Sequence, residues 1–179
     1  MHISGVAPFE AMPLDEHSRR VFVESVLNVS VANGNFSYTT SPVLKPYWKQ
    51  YPAPTAEPSP GGTSVATAWE SGQVIGCVLL RVNWNGFVAI ADLTVARDSR
   101  RQGIGNALLN EVKRWVGFHG HFGLVAETQN TNVPACLLYE RAGFQLGGCD
   151  SMLYSAMPVH AHEVALFWYW RSHSVLSDA

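Results

Sequence analysis

The chain has 179 residues, 47% hydrophobic and 15% charged, a composition typical of one compact globular domain. Its formal net charge of −2 argues against a nucleic-acid partner, and it contains no apolar run long enough for a membrane span and no secretory signal. Three widely spaced cysteines, and the lack of Cys/His groups at zinc spacing, predict a reduced, cytoplasmic protein without a metal site.

The first third of the chain contains one clear strand and one proline-rich connection. Residues 21–31 are dense in β-branched side chains and predict a long strand, which ends in the turn sequence Asn33-Gly34. Residues 36–51 are aromatic and interrupted by proline, and we expect a short helical turn around 45–50. Proline and glycine are so dense in residues 52–62 that we expect a loop there, which joins two parts of a single domain.

Strands dominate after residue 63, and two helices lie between them. Turn sequences at 71–73 and at Asn85-Gly86 separate the first three strands. The predicted strands are 65–70, 74–84, 87–95, 123–128, 144–157 and 164–170, and the predicted helices are 103–118 and 132–142. The strand at 87–95, the first helix and the strand at 123–128 form a βαβ unit, which should be parallel and right-handed.

A glycine-rich turn lies between the third of these strands and the first helix. Its sequence is Arg100-Arg101-Gln102-Gly103-Ile104-Gly105, and the two glycines allow the backbone to approach a ligand closely. The first-turn amides of a helix have no internal partners and lie at the positive end of the helix dipole, so they favour phosphate or pyrophosphate. The turn lacks the residues of a Walker loop and of a dinucleotide fingerprint. An ordinary strand-to-helix turn is the alternative.

A second motif follows the βαβ unit, with the sequence Asn132-x-x-Ala135-x-x-x-Tyr139-x-x-x-Gly143-Phe144. Together with Leu93-x-Val95 and Arg100-x-x-Gly103-x-Gly105, in this order, it resembles the GNAT N-acetyltransferases. The resemblance implies acetyl-CoA as the cofactor and an α/β fold, whose mixed, mostly antiparallel sheet is splayed at the cofactor site and flanked by helices. It also implies a cofactor-binding and catalytic core at 63–170 and a variable, acceptor-side part at 1–62.

The resemblance assigns roles to residues of both motifs. The backbone before the turn would hold the pantetheine arm, the amides of the turn would hold the pyrophosphate, and Arg100 would steady the turn. Tyr139 would donate a proton to the departing thiolate, with a place in the core as the alternative. Asn132 would touch the pantetheine or cap its helix. The implied cofactor-binding residues are Leu93, Thr94, Val95, Arg100, Arg101, Gln102, Gly103, Ile104, Gly105, Asn106, Asn132 and Tyr139.

An amine acceptor requires an acidic group, because only about one alkylammonium in a thousand is deprotonated at neutral pH. Asp92 and Glu127 interrupt apolar strands and are the candidates for binding the cation and taking its proton, with ion pairing to Lys or Arg as the alternative. Further acids and aromatics could form a pocket for a cationic amine, with surface acids and core aromatics as the alternative. They are Trp84, Asp150, Tyr154, Glu163 and Trp168.

Several segments resemble the streptothricin acetyltransferases, which acetylate an amine on the β-lysine tail of that antibiotic and confer resistance. These segments are 81–85, 90–95, 123–129, 132–136 and 163–169. The group often has Glu-Asp before Leu-x-Val, whereas this chain has Ala91-Asp92, so one acidic charge for a polycationic substrate is missing. Residues 1–60 match poorly, except for an aromatic-Lys-Pro-Tyr region near 45–51.

We therefore predict an acetyl-CoA-dependent N-acetyltransferase for a primary amine of a small cationic molecule, with streptothricin as the specific hypothesis. Direct attack in a ternary complex is expected, because no cysteine or serine lies in a nucleophile motif. The alternatives are an acetyltransferase for protein lysines or N-termini and a catalytically silent acyl-CoA-binding module. A homodimer formed by pairing of the aromatic C-terminal strand with a second copy is a further hypothesis.

Overall fold

The computed structural model describes residues 1–8, 14–54 and 62–172, so most of the loop predicted at 52–62 lies outside the described residues. The contacts of the chain divide it into two compact units. Unit 1 comprises Met1–Arg20, Tyr51–Val125 and Trp170–Ala179, and unit 2 comprises Val21–Gln50 and Ala126–Tyr169.

Strands predominate among the described residues. In chain order the elements are β1 (His2–Ile3), β2 (Ala7–Pro8), β3 (Arg20–Ala32), β4 (Asn35–Gln50), β5 (Thr63–Glu70), β6 (Gln73–Val82), β7 (Phe87–Val95), α1 (Ile104–Phe118), β8 (Gly123–Gln129), α2 (Val133–Arg141), β9 (Gln145–Asp150) and β10 (Ala165–Arg171). Short 3₁₀ helices at Glu16–Arg19 and Arg97–Ser99 precede β3 and α1, respectively. No helix in the described ranges is long and apolar enough to cross a membrane.

Unit 1 is built around antiparallel strands in the order β1-β5-β6-β7, followed by the first residues of β8. The predicted turn between β5 and β6 forms with positive φ at both Ser71 and Gly72. One face of α1 is buried and packs on β5, β6 and β7. Gly76 in β6 allows this close approach, because a Cβ there would lie 2.9 Å from Cγ2 of Ile104. Each buried leucine, isoleucine or valine of this face contributes about 1.5–3 kcal/mol.

Unit 2 contains the two-stranded sheet β3-β4, the helix α2, and neighbouring strands in the order β8-β10-β9. The predicted turn at Asn33-Gly34 joins β3 to β4, with positive φ at both residues. Asn132 caps α2, as the sequence allowed, because its side chain accepts a hydrogen bond from the Ala135 amide. Gly143 follows the helix at φ +78°, a conformation that favours glycine.

Three expectations for unit 2 are wrong. The helical turn predicted around 45–50 is part of the strand β4. Its prolines are compatible with a strand because each strand of a two-stranded sheet has one unpaired edge. The strand predicted at 144–157 ends at Asp150, whose carboxylate accepts hydrogen bonds from the amides of Met152 and Leu153 and starts a series of turns.

The third error concerns the C-terminal strand. β10 lies between β8 and β9 and is therefore not an edge strand that could pair with a second copy. Its predicted bounds are otherwise within one residue of the observed ones. A homodimer by another surface stays a prediction.

Replacement of Gly123 by alanine should destabilise the protein. A Cβ at this position would lie 2.1 Å from the carbonyl oxygen of Trp170, and a backbone atom of a neighbouring strand cannot swing aside. We expect Gly123→Ala to lower the free energy of unfolding by about 1–3 kcal/mol, measured by urea denaturation. Gly5→Ala is the matched control, because its Cβ would meet no described atom within 4 Å. Equal stability of the two variants would contradict this account of the strand packing.

Candidate functional site

The turn before α1 exposes a continuous series of backbone amides. Arg101 and Gly103 have positive φ values of +64° and +83°, and Gly103 caps the helix without a side-chain hydrogen bond. The first helical bond runs from the Ala107 amide to the Gly103 carbonyl. Within the described ranges, the amides of residues 101–106 have no acceptor in the protein. The donor set therefore fits an anion such as pyrophosphate, held by amides and the helix dipole.

The Arg100 side chain holds this turn from within the protein. Its Nε donates to the Val95 carbonyl (3.1 Å), Nη1 to that of Arg20 (2.8 Å) and Nη2 to that of Ser18 (2.6 Å). Burial, followed by the charge of Arg97, lowers the pKa of Arg100. Each nitrogen of the guanidinium therefore has a carbonyl acceptor in the protein. These contacts are of the kind that could support the turn, as predicted for Arg100.

Asp92 lies beside a bulge in β7. Leu79 pairs with Asp92 and Leu80 with Ile90, so Ala91 is the extra residue on β7. Each oxygen of the Asp92 carboxylate has a partner: Oδ1 accepts from Nη1 of Arg19 at 2.8 Å, and Oδ2 accepts from the Thr94 hydroxyl at 2.9 Å. Arg19 is buried, with 1% of its side chain exposed. The structure therefore shows the ion pair that the sequence left as the alternative for Asp92.

The residues predicted to bind the pantetheine arm occupy the end of β7 and the two ends of α2. Leu93, Thr94 and Val95 pair with β6, and Thr94 is buried. The Asn132 side chain serves as the helix cap already described. Tyr139 is buried in α2, with its ring 5.2 Å from that of Phe144. Burial of Tyr139 is compatible with the core position that the sequence kept as its alternative.

Glu127 belongs to a hydrogen-bonded group on β8. The Tyr154 hydroxyl donates to Oε1 of Glu127 at 2.6 Å and accepts from Nε2 of Gln129 at 2.7 Å. Tyr154 is buried, and this burial, together with the hydrogen bond to Glu127 and the charge of that carboxylate, raises the pKa of Tyr154. Glu127 itself is exposed. Within the described part of the chain, its Oε2 has no hydrogen-bond partner.

Glu163 forms a buried ion pair instead of lining an open pocket. Nζ of Lys49 donates to both carboxylate oxygens at 2.5–2.6 Å, and the Thr131 hydroxyl donates to Oε1 at 2.9 Å. Nδ1 of His160 lies 3.3 Å from Oε2. Only 1% of the Glu163 side chain is exposed. Burial lowers the pKa of Lys49, and Glu163 partly opposes this shift.

The other residues of the predicted aromatic-acidic pocket have separate roles. Trp84 lies in the turn after β6 and is 98% exposed, so it does not line an enclosed pocket. Trp168 is in the core, where its indole N–H donates to the Thr128 hydroxyl at 3.0 Å. Asp150 holds the turn that ends β9. Among these predicted site residues, Glu127 and Tyr154 are joined by a hydrogen bond.

Comparison with known proteins identifies the family. The family model described as acetyltransferase (GNAT) family matches residues 31–144, which is more than half of the chain. The chain belongs to the GNAT acetyltransferase family. This membership confirms the predicted α/β fold and the predicted enzyme class, and it identifies the turn before α1 and the helix α2 as parts of a GNAT domain.

Individual relatives point to a narrower group of GNAT acetyltransferases. The chain is 38% identical to streptothricin acetyltransferase A of Bacillus subtilis, over 78% of this chain and 82% of the relative. It is 31% identical to a streptothricin acetyltransferase of Escherichia coli, over 96% and 97% of the respective chains. The fold also matches a crystal structure of a candidate streptothricin acetyltransferase from Bacillus anthracis in complex with acetyl coenzyme A, with TM-score 0.82, 29% identity and coverage of 95% and 99%. These similarities confirm the resemblance inferred from the motifs.

Sequence reasoning missed the partners of the acidic residues. Arg19, Lys49 and Gln129 were not singled out, although each binds a predicted site residue or its partner. Arg19 is 73 residues from Asp92, and Lys49 is 114 residues from Glu163. For Lys49, the signal in the sequence was its place in an aromatic, proline-containing segment. Gln129 could have been predicted from Glu127, because residues i and i+2 of a strand have their side chains on the same face.

The cysteines should differ sharply in reactivity. Burial, followed by the charge of Asp92, raises the pKa of the Cys77 thiol to about 12, and burial raises that of Cys136 to about 11. Cys149 is exposed. In the native protein at pH 8, we expect a disulfide reagent to label Cys149 promptly and the buried pair only after denaturation. Cys149→Ser should remove the fast phase, and rapid labelling of that variant would contradict the assignment.

Loss of the Lys49 ammonium should destabilise unit 2. Lys49→Met would leave the buried Glu163 carboxylate without its cation, and we expect a loss of about 3–5 kcal/mol in the free energy of unfolding. Lys45→Met is the matched control, because Lys45 is exposed on the same strand and should change stability by less than about 0.5 kcal/mol. Chemical denaturation of the two variants in parallel tests this. Equal losses would show that the buried pair adds nothing beyond a surface lysine.

Proposed function

We propose that this GNAT acetyltransferase transfers the acetyl group of acetyl-CoA to a primary amine of streptothricin or a closely similar polycationic small molecule. The observation that carries the proposal is the 31% identity to the Escherichia coli streptothricin acetyltransferase over nearly the whole of both chains. Coverage of 96% of this chain includes most of the N-terminal third, where the sequence motifs were weakest. The 38% identity to the Bacillus subtilis enzyme supports the same substrate.

In this proposal the cofactor is bound by backbone groups of unit 1. Acetyl-CoA supplies an acetyl group activated as a thioester. The amides of residues 101–106 would hold its pyrophosphate, and Arg100 would keep the turn in shape through its three carbonyl contacts. The backbone of Leu93, Thr94 and Val95 would bind the pantetheine arm by strand addition. Support for these assignments comes from the uncapped start of α1 and from the family membership.

Glu127 is our proposed proton acceptor for the amine. Its exposed carboxylate has one oxygen without a protein partner among the described residues, whereas both oxygens of Asp92 are engaged. An ammonium ion bound there would transfer a proton to the carboxylate, and the freed amine would attack the thioester carbonyl carbon. As the amide bond forms and the C–S bond breaks, the departing sulfur would take a proton from Tyr139, and the second proton lost by the nitrogen would restore the phenol. The first proton would leave Glu127 for solvent. The sum is ammonium plus thioester giving amide, free thiol and one proton.

The properties of the cysteines favour direct attack by the amine over a route through an acetylated cysteine. The thiolate is the nucleophilic form, and burial raises the pKa of Cys77 to about 12 and that of Cys136 to about 11. Exposed Cys149 is not among the residues that hydrogen-bond to Glu127. We therefore propose a ternary complex in which the amine attacks without a covalent enzyme intermediate.

The substrate is tested by release of free CoA with streptothricin, lysine, spermidine and a histone-tail peptide as acceptors. We expect turnover with streptothricin at kcat/KM above about 10⁴ M⁻¹s⁻¹. The other amines should react much more slowly, because they lack the groups through which the true substrate would bind the enzyme in the transition state. A reaction without added amine controls for thioester hydrolysis. Turnover of the peptide alone would replace the proposal with a protein acetyltransferase. Tight CoA binding without turnover on any amine would contradict it altogether.

A further inference from the structure

The Tyr154 hydroxyl is placed where it can control the Glu127 side chain. Glu127 and Gln129 lie two residues apart on β8, so their side chains share one face of the strand. Tyr154 comes from the turns between β9 and β10 and contacts both of them, at 2.6 and 2.7 Å. One buried phenol thus connects a segment without regular structure to two residues of a strand.

The direction of the Tyr154 proton follows from the contacts of its oxygen. A phenol has one O–H donor, and Nε2 of Gln129 can only donate, so it occupies a lone pair of that oxygen. The proton is then directed at Oε1 of Glu127, the acceptor on the other side. Burial and the adjacent carboxylate raise the pKa of Tyr154, so the phenol remains a donor throughout the physiological range.

Glu127 differs from the other predicted acids in what remains available on its carboxylate. Both oxygens of Asp92 and both oxygens of Glu163 accept hydrogen bonds or ion pairs within the described chain. Asp150 is engaged by two amides of its own turn. Glu127 has Oε1 bound to Tyr154, while its side chain is exposed and Oε2 lacks a protein partner among the described residues.

We infer that Tyr154 is a positioning residue for acetyl transfer: it fixes Glu127 through Oε1 and leaves Oε2 directed to the ammonium group of the acceptor. The inference rests on the proposed role of Glu127. An exposed glutamate side chain otherwise samples several rotamers, and only a fraction of them would meet the amine. A hydrogen bond from a buried phenol to the carboxylate selects one rotamer, in which the other oxygen is left for the cation.

Kinetics of Tyr154→Phe tests the inference, because this change removes one oxygen and keeps the buried ring. We expect kcat for the amine to fall about tenfold, the effect of losing one hydrogen bond to a charged group. The KM for acetyl-CoA should stay within twofold of the wild-type value, and kcat is expressed per CoA-binding site, because misfolded protein would lower apparent kcat without changing KM. An unchanged kcat, or an equal rise in KM for acetyl-CoA, would overturn the inference.

A double-mutant cycle tests whether Tyr154 acts through Glu127. Glu127→Gln should lower kcat by about 10²-fold or more, as expected for loss of a proton acceptor. If Tyr154 acts only through that carboxylate, the double variant should be no more than twofold worse than Glu127→Gln. A further tenfold loss in the double variant would overturn the inference.

Tyr38→Phe is the matched control. The Tyr38 hydroxyl also hydrogen-bonds to a glutamate, Glu140, and burial, followed by that bond, raises the pKa of Tyr38 to about 12. Its substitution removes the same type of contact in the same unit, and kcat should stay within twofold of wild type. A tenfold loss in this control would show that any tyrosine–glutamate contact affects turnover, and would overturn the specific role of Tyr154.

Crystal structures of the wild type and of Tyr154→Phe provide a readout that does not depend on activity. We expect Glu127 in one conformer in the wild type, and in several conformers or displaced by more than about 1 Å in the variant. If the wild type acetylates no amine, the proposed function fails, and these structures still decide whether Tyr154 positions Glu127. An unchanged Glu127 conformer in the variant would overturn the positioning role even if the proposed function holds.

Discussion

The guanidinium group of Arg100 is the interaction on which the geometry of the glycine-rich turn depends. It donates to the carbonyls of Ser18, Arg20 and Val95, and so connects the end of β7 with the segment that precedes β3. A single planar fork of donors thus reaches three carbonyls from two segments of the chain. The turn can then adopt positive φ at Arg101 and Gly103 and leave the following amides without acceptors.

A positively charged residue beside a phosphate site could both support the local backbone and attract the anion. In this turn the two tasks are separate. Because the nitrogens of Arg100 are engaged by protein carbonyls, the side chain acts as structural support. Attraction for the proposed pyrophosphate would then come from the amides and the helix dipole, which have a fixed direction and lose no side-chain entropy on binding. A site of this kind selects a ligand by shape and hydrogen-bond geometry more than by net charge, in keeping with a chain of formal charge −2.

The acidic residues show how burial determines the use of a carboxylate. Glu163 is buried and held by Lys49 and Thr131, so its charge takes part in a structural ion pair within unit 2. Asp92 is held by Arg19 next to the bulge of β7 and has the same structural character. Glu127 is exposed and held on one side only. The same functional group therefore serves as a structural ion pair at two positions and as a candidate for chemistry at the third.

Much of the fold and the conformation of the glycine-rich turn could be predicted from the sequence, because they depend on local patterns. Glycines of the turns, the alternation in β5 to β8 and the apolar face of α1 each reflect the conformation of a short segment. Both GNAT motifs are also local, and the cap formed by Asn132 follows from its place before α2. The errors fall where long-range contacts outweigh local preference, as in β4, where pairing with β3 extends a proline-containing segment that suggested a helical turn.

By itself the sequence determined the order of elements from β5 to α2, the GNAT family and the position of the glycine-rich turn, since these depend on residues close together in the chain. Only the tertiary structure decided which carboxylate remains available. Arg19 reaches Asp92 across 73 positions and Lys49 reaches Glu163 across 114, and no spacing rule predicts such pairs. Each pair contains at least one buried charge, Arg19 in the first and Glu163 in the second, and an unpaired buried charge is too costly to keep. Glu127 escapes this constraint because its side chain is exposed and its one protein contact, from Tyr154, engages a single oxygen.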